Sequence, residues 1–360
     1  GEGEEEAGGM AVVVTEQQER EEEYERCRLL GAILNLLSSA ATPLATASDV
    51  RDLMAGQKLP GLLTAIFRNS KRFGAAVYEK AASLLTEFVH QEPACLQHVL
   101  QSGVAEAFLH SVAGSFPVSR GVVSVVPSVL GALCLSAAGC QMVEQALPIS
   151  KFMSALCSDK VTALLQGECP SNLGVQLEEL MRHNPPLLDS CMAGCVNMAN
   201  KIPSYMHELN LPQEPPGGAK DGPGQPLSAQ SYLTCAVEFL SKLLEPLMSA
   251  AEHARSFVRK DGVQALLQIL SLPQLPRAFS RSEAGRFIIL VLGKSAFHSP
   301  SKVLGEVMLR TRRFVADVQG AAAAEHTLQL EAGVGAAGAA GGVHLGMKLT
   351  REISPALTMV

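Results

Sequence analysis

Apolar residues recur along this chain at helical spacing, in short blocks separated by small, polar or proline-containing breaks. Between Gly74 and His90 the positions Val77, Ala81, Leu84, Leu85 and Phe88 fall on one face of a helix. Pro93 stops that helix by Glu92, because the residue before a proline is driven out of helical geometry. The same reading predicts helices over about 27–38, 94–101, 103–112, 122–136, 139–145, 148–157, 171–183, 229–249, 261–270 and 282–295. The run CRLLGAILNLLS at 27–38 is apolar around most of its circumference and predicts a buried helix. Ser48 is the expected N-cap of the DVRDLM segment, and Ser171 or Asn172 that of the helix carrying Leu173, Leu177, Leu180 and Met181. The 229–249 segment puts Tyr232, Ala236, Phe239, Leu240, Leu243 and Leu247 on one face.

One block type recurs: a short helical run headed by a small or loop-forming residue. It reads SGVAEAFLHSV at 102–112, ALPISKFMSAL at 146–156 and DGVQALLQIL at 261–270, with a weaker copy, QKLPGLLTAIF, at 57–67. Taking Leu59, Val104 and Pro148 as equivalent gives spacings of 45 and 44 residues, within the period of ~40–47 residues of armadillo and HEAT repeats. No such unit buries its apolar face alone, so neighbours must stack into a solenoid. The fold class is therefore all-α, an armadillo/HEAT-like helical solenoid.

Composition sharpens this picture. Hydrophobic residues make up 47% of the 360 positions and charged residues 18%, while aromatics are only 4% and Trp is absent. The core must then be built from Leu, Val, Ala and Met. A net charge of −6 argues against a nucleic-acid partner, which needs a basic face. The nine cysteines are scattered, odd in number and without a CxxC pair, and no signal peptide opens the chain. That pattern points to a reduced intracellular compartment, cytoplasmic or nuclear. The start at Gly1 and the end at Val360 read as a fragment.

The domain organisation expected is an acidic, disordered head over 1–25, helical repeats over 26–210, a Pro/Gly linker at 211–228, continued repeats over 229–319, and an Ala/Gly-rich, disordered tail over 320–360. No charge occurs between Arg120 and Glu144, long enough to cross a bilayer. Pro127, three serines and the break at 137–139 divide it into two helices too short to span, so a covered solenoid helix is the better reading and no membrane partner is expected.

Motifs for chemistry are weak. Gly333, Gly335 and Gly338 match GxGxxG formally but lack a preceding strand. His183, Cys191 and Cys195 do not have the spacing of a zinc site, and two structural cysteines explain the last pair better. His90, His98, His110, His207 and His253 read as surface or capping residues, and the basic Arg310–Arg313 cluster as a solvated helix face. No catalytic, cofactor-binding or metal residue is assigned, and no cofactor is expected.

The residues at 88–112, 125–143 and 171–188 occur in an order that resembles the N-terminal armadillo-like region of the giant HECT-type ubiquitin ligases. That group contains the animal UBA- and WWE-bearing ligase and its plant and fungal relatives. The specific stretches are Leu130-Gly-Ala-Leu-Cys-Leu135 followed by Gly139, and Leu177-Glu-Glu-Leu-Met-Arg-His183, with DGVQALLQILSLPQLPRAF at 261–279 similar to a later part. The resemblance covers about 88–300. The short 211–228 linker, where the family carries longer acidic inserts, and the Ala/Gly tail depart from it.

What the resemblance implies is a scaffold that presents protein substrates to a C-terminal catalytic domain outside this chain. That domain would also supply the acceptor cysteine and the contact with the ubiquitin-conjugating enzyme. None of the nine cysteines matches the acceptor's context, so no catalytic role carries over. A stand-alone adaptor without an enzymatic domain is the alternative.

Overall fold

The computed structural model describes residues 21–39, 46–146, 148–208, 228–272, 274–276 and 278–334. Among them there is no strand, and seventeen α-helices carry the fold. The residues fall into two compact units, one ending at Pro148 and one beginning at Ile149.

In the first unit, α1 (21–39) is followed by α2 (Ala47–Ala55), α3 (Lys58–Arg68), α4 (Ser70–Gln91), α5 (Cys95–Gln101), α6 (Val104–Ala113), α7 (Arg120–Leu133) and α8 (Ala137–Ala146). The contacts have a simple rule: α2 lies on α5, α3 on α6 and α4 on α7. Each helix meets the one three places later, so α2–α3–α4 and α5–α6–α7 are two stacked three-helix repeats. Leu59 on α3 and Val104 on α6 therefore occupy equivalent helices, as their spacing implied.

The interior of this stack is a ring cluster. Phe67 meets Tyr78 and Phe108 edge-on at centroid distances of 5.3 Å, and Tyr78 stacks on Phe108 at 6.2 Å. The buried Tyr78 hydroxyl shares a 2.6 Å hydrogen bond with Ser111 Oγ, which satisfies a group that would otherwise be costly to bury. The rest is Leu, Val and Ala, with Leu63, Ile66, Leu84, Val126, Leu130 and Leu133 all buried.

In the second unit follow α9 (Pro148–Ala155), α10 (Asp159–Leu164), α11 (Cys169–His183), α12 (Leu188–Glu208), α13 (Ala229–Leu247), α14 (Ala251–Arg259), α15 (Gly262–Ile269), α16 (Glu283–His298) and α17 (Pro300–Val334). Helix α13 is held between α11 and α16, and α12 lies on α14 and α15. That position explains why α13 is not apolar on one face only: Leu233, Val237 and Leu244 are as buried as the predicted Tyr232, Phe239 and Leu243. Gly174 of α11 sits so close to the Leu243 carbonyl that a Cβ there would come within 2.4 Å.

Several local expectations are corrected. Helix α1 is not a buried helix. Leu34 is fully covered, but Leu29 and Leu36 are 64% and 69% exposed, because only one face of α1 meets the rest of the unit. The cap of α2 is Thr46, not Ser48. Its Oγ1 accepts from the Asp49 amide while Asp49 accepts from the Thr46 amide at 2.8 Å, a reciprocal pair that Ser48 has no partner to form. Helix α11 starts at Cys169 with Pro170 in its first turn, ahead of Ser171. Helix α17 continues to Val334, past residue 319.

The head at 1–20, the linker at 211–227 and the tail at 335–360 lie outside the described residues. The apolar 121–143 stretch divides at Cys134–Ser136 into α7 and α8. No described helix is long and apolar enough to cross a membrane.

Candidate interaction surfaces

A groove of the first unit lies between α1 and α4. Its shape depends on Gly74, whose φ of 75° breaks the helical path of Ser70–Gln91. A left-handed residue there is cheap only for glycine. The groove has a volume of about 690 Å³, with an apolar floor of Tyr24, Ala32, Phe73 and Val77. Its rim is charged: Arg72 pairs with Glu23, which raises the guanidinium above its ordinary pKa. Lys80 Nζ donates to the Gly31 carbonyl at 3.5 Å.

A second bay, of about 360 Å³, lies at the turn from α3 to α4 against the end of α6. Arg68, Lys71 and His110 face it, all exposed, together with Gly114 and Ser115. Ser70 Oγ donates to the Ser115 carbonyl at 3.0 Å, tying the two walls together. No residue lining the bay is acidic. With Arg72, four cationic or ionisable donors line one concavity, and such a bay suits a carboxylate-rich or phosphorylated segment of a partner.

In the second unit the exposed apolar side chains concentrate on α16 and α17: Ile289, Leu290 and Phe297 (82% exposed) on one, Leu304, Met308 and Val315 on the other. Arg310 of the basic cluster is tied down, its Nε donating to Ser271 Oγ at 2.8 Å. Arg312 and Arg313 remain on an exposed helix face.

The residues weighed for chemistry are dispersed. Cys191 and Cys195 are both buried on α12, and burial pushes the Cys195 thiol up to about 12. His183 ends α11. Among the described residues no group of three His, Cys, Asp or Glu side chains could hold a metal ion. His90 and His110 are exposed and His98 half-buried. His253 is buried, 6% exposed, which corrects the surface reading. Its Nδ1 is buried without a hydrogen-bond partner. Burial lowers its pKa, against the opposing charges of Glu178 and Glu252. Gly333 closes the backbone of α17, and 335–338 lie outside the described residues. The bay itself was not legible in sequence, because Arg68 and His110 belong to different repeats.

The family described as Domain of Unknown Function (DUF913) matches residues 3–220 and 213–278. The E3 ubiquitin-protein ligase HUWE1 of Mus musculus is 26% identical over 348 residues, an alignment covering 79% of this chain and 8% of that protein. The E3 ubiquitin-protein ligase UPL1 of Arabidopsis thaliana is 25% identical, covering 72% of this chain and 8% of the ligase. The E3 ubiquitin-protein ligase ptr1 of Schizosaccharomyces pombe is 24% identical, covering 76% and 8%. The chain thus spans less than a tenth of the length of these relatives. The resemblance read from residues 88–300 is borne out, with relatives of that name in a mammal, a plant and a yeast.

Proposed function

The chain belongs to the family described as Domain of Unknown Function (DUF913), and we propose that it is a non-catalytic, substrate-presenting segment of a HECT-type ubiquitin ligase. The observation that carries this reading is the alignment over most of the chain with proteins named E3 ubiquitin-protein ligases. The stacked helices and open grooves support a binding role. They hold bays for extended segments, and the described residues gather no nucleophile, base and orienting group into one cleft.

The chemical contribution of such a segment is positional. Holding a substrate near a distant thioester converts an encounter in solution into a local one, raising effective concentration without any contact to the reacting atoms. The first unit's groove and basic bay are the surfaces that would hold an acidic protein segment. We place the protein in the cytoplasm or nucleus. None of the nine cysteines is in a disulfide.

The test is to immunoprecipitate the endogenous polypeptide that carries this chain and supply ubiquitin, activating enzyme and conjugating enzyme. Thiol-sensitive ubiquitin transfer is the expected result. Absence of transfer would overturn the ligase reading and leave a stand-alone adaptor. Within an active ligase, Arg68→Glu with Lys71→Glu should reduce substrate modification at least several-fold while leaving thioester formation unchanged. Equal loss of both would remove the substrate-presenting role.

A further inference from the structure

The junction between α7 and α8 brings two cysteines together. Helix α7 ends at Leu133, and Cys134 is its C-cap residue, its amide bonded to the Leu130 carbonyl at 3.0 Å. Ser136 starts the next helix: its Oγ accepts from the Gly139 amide at 3.1 Å and its carbonyl from the Cys140 amide at 2.9 Å. Gly139 then lies against the end of α7 so closely that a Cβ would come within 2.0 Å of the Leu133 carbonyl oxygen. Since Gly139 touches Leu133, their chain neighbours Cys140 and Cys134 flank the same close contact, and Cys140 is the neighbour that acts on the Cys134 thiol.

This pair is more exposed than four of the other cysteines. Cys95, Cys157, Cys191 and Cys195 are buried, whereas Cys134 and Cys140 are only half-buried. The residues around the turn face solvent: Leu135 is 58% exposed, and Ala137 and Ala138 are exposed. A small oxidant therefore reaches the junction.

We infer that Cys134 and Cys140 form a two-thiol oxidation site, which a peroxide converts into an intramolecular disulfide across the α7–α8 junction. In the first step the Cys140 sulfur attacks hydrogen peroxide. The O–O bond breaks, a sulfenic acid forms on Cys140, and one water leaves. In the second step the Cys134 sulfur attacks the Cys140 sulfur and displaces the hydroxyl as a second water. Two electrons pass from the thiol pair to the peroxide, and both thiol protons leave in the waters. A low-molecular-weight thiol of the glutathione class reverses the bond by exchange.

The order of attack follows from the surroundings. Burial, and then the neighbouring Cys140, push the Cys134 thiol up to about 12. Little Cys134 thiolate exists near neutral pH, so Cys140 meets the oxidant first, and Cys134 attacks the sulfenic acid only through its small thiolate fraction, helped by its place beside it. The disulfide would fix the turn from α7 to α8 covalently, at the point where Gly139 already holds the two helix ends in contact.

The experiment treats the full chain with hydrogen peroxide, blocks remaining thiols with an alkylating agent, and maps the cysteines by mass spectrometry. A peptide spanning 134–140 that has lost two hydrogens, and regains them with dithiothreitol, is the expected product. Both cysteines still alkylated at peroxide doses that oxidise other thiols would overturn the site. So would sulfinic acid on Cys140 beside a free Cys134. In Cys134→Ser, dimedone trapping of the Cys140 sulfenic acid should rise several-fold over the parent. Equal trapping in the two would show that Cys134 does not resolve it. The mapping in the parent chain decides the matter even if that variant folds poorly.

Discussion

The Tyr232 hydroxyl donates a 2.7 Å hydrogen bond to the carbonyl oxygen of Cys157. Tyr232 is the first aromatic residue of α13, and Cys157 follows the end of α9, so the bond ties a long central helix to the segment that opens its unit. Both residues are buried, at 0% and 2% exposure. Tyr232→Phe keeps the ring, which packs on Tyr205 at a centroid distance of 5.4 Å, and removes only the donor. Losing a partner from a buried acceptor costs about 1–3 kcal/mol. The variant should therefore unfold at lower urea concentration with an unchanged slope, measured by circular dichroism. An unaltered midpoint would mean that water replaces the hydroxyl.

Among the described residues, Lys242 is the one buried lysine or arginine, and it lies between α13 and α16. Its Nζ lies 2.8 Å from Glu238 Oε1 and 3.2 Å from Glu283 Oε2, and 5.4 Å from the centroid of the Phe287 ring. Burial pulls its pKa down, but the two carboxylates outweigh that and leave it above the ordinary lysine value. The stem is covered, with 8% of the side chain exposed, while Glu283 at 56% keeps the head near water. Lys242→Ala should thus destabilise by about 1–3 kcal/mol, below the range for a fully desolvated pair. Lys242→Met should recover part of the loss, because it restores the stem's packing. Equal unfolding midpoints for the Ala and Met variants would show that the charge, not the stem, carries the effect.

The repeat architecture was written in the spacing of apolar positions. Leu59 and Val104 are 45 residues apart and sit on α3 and α6, helices that lie against each other. What spacing could not supply was the exact role of the residue heading each repeat. SGV at 102–104 and DGV at 261–263 look alike, yet the left-handed position is Gly103 in the first and Asp261, with φ of 63°, in the second. Gly262 instead makes room for Phe257, whose ring would lie 2.4 Å from a Cβ. The burial of α1 was overestimated for a related reason. Composition records that Leu29 and Leu36 are apolar but not whether a second helix covers them. The basic bay needed the stacking itself, since Lys71 and His110 share no helix. The thiol pair needed the Gly139–Leu133 contact, which a CxxxxxC spacing does not announce.

His253 gives the second unit a pH dependence. Burial lowers its folded-state pKa below the ordinary value, so the unfolded chain binds its proton first as pH falls. Stability is then fully present above about 6.5, the ordinary imidazole value, and declines as pH drops below it toward the folded-state value. Thermal melts at pH 7.5 and pH 5.5 should show a lower midpoint at the acid end. His253→Gln, which keeps a polar side chain of similar reach without a titrating ring, should flatten the drop over that window. If the variant and parent lose stability in parallel, the carboxylates account for the drop and His253 does not.

Leu133 holds a tightly packed position of the first unit. Its side chain is 1% exposed on α7, and its carbonyl is the surface against which Gly139 closes the turn into α8. Leu133→Asp places an unpaired carboxylate among Leu and Val side chains, at a cost of several kcal/mol. The expected result is loss of helicity and of the cooperative melt. Gly139→Ala probes the other side of the same contact. Because the obstacle is backbone, not the end of a flexible side chain, α8 must shift away from α7, at about 1–3 kcal/mol. That shift should also separate the thiols of Cys134 and Cys140 and lower the yield of their disulfide under peroxide. Gly139→Ala with parental stability and parental disulfide yield would mean that the turn relaxes without moving α8.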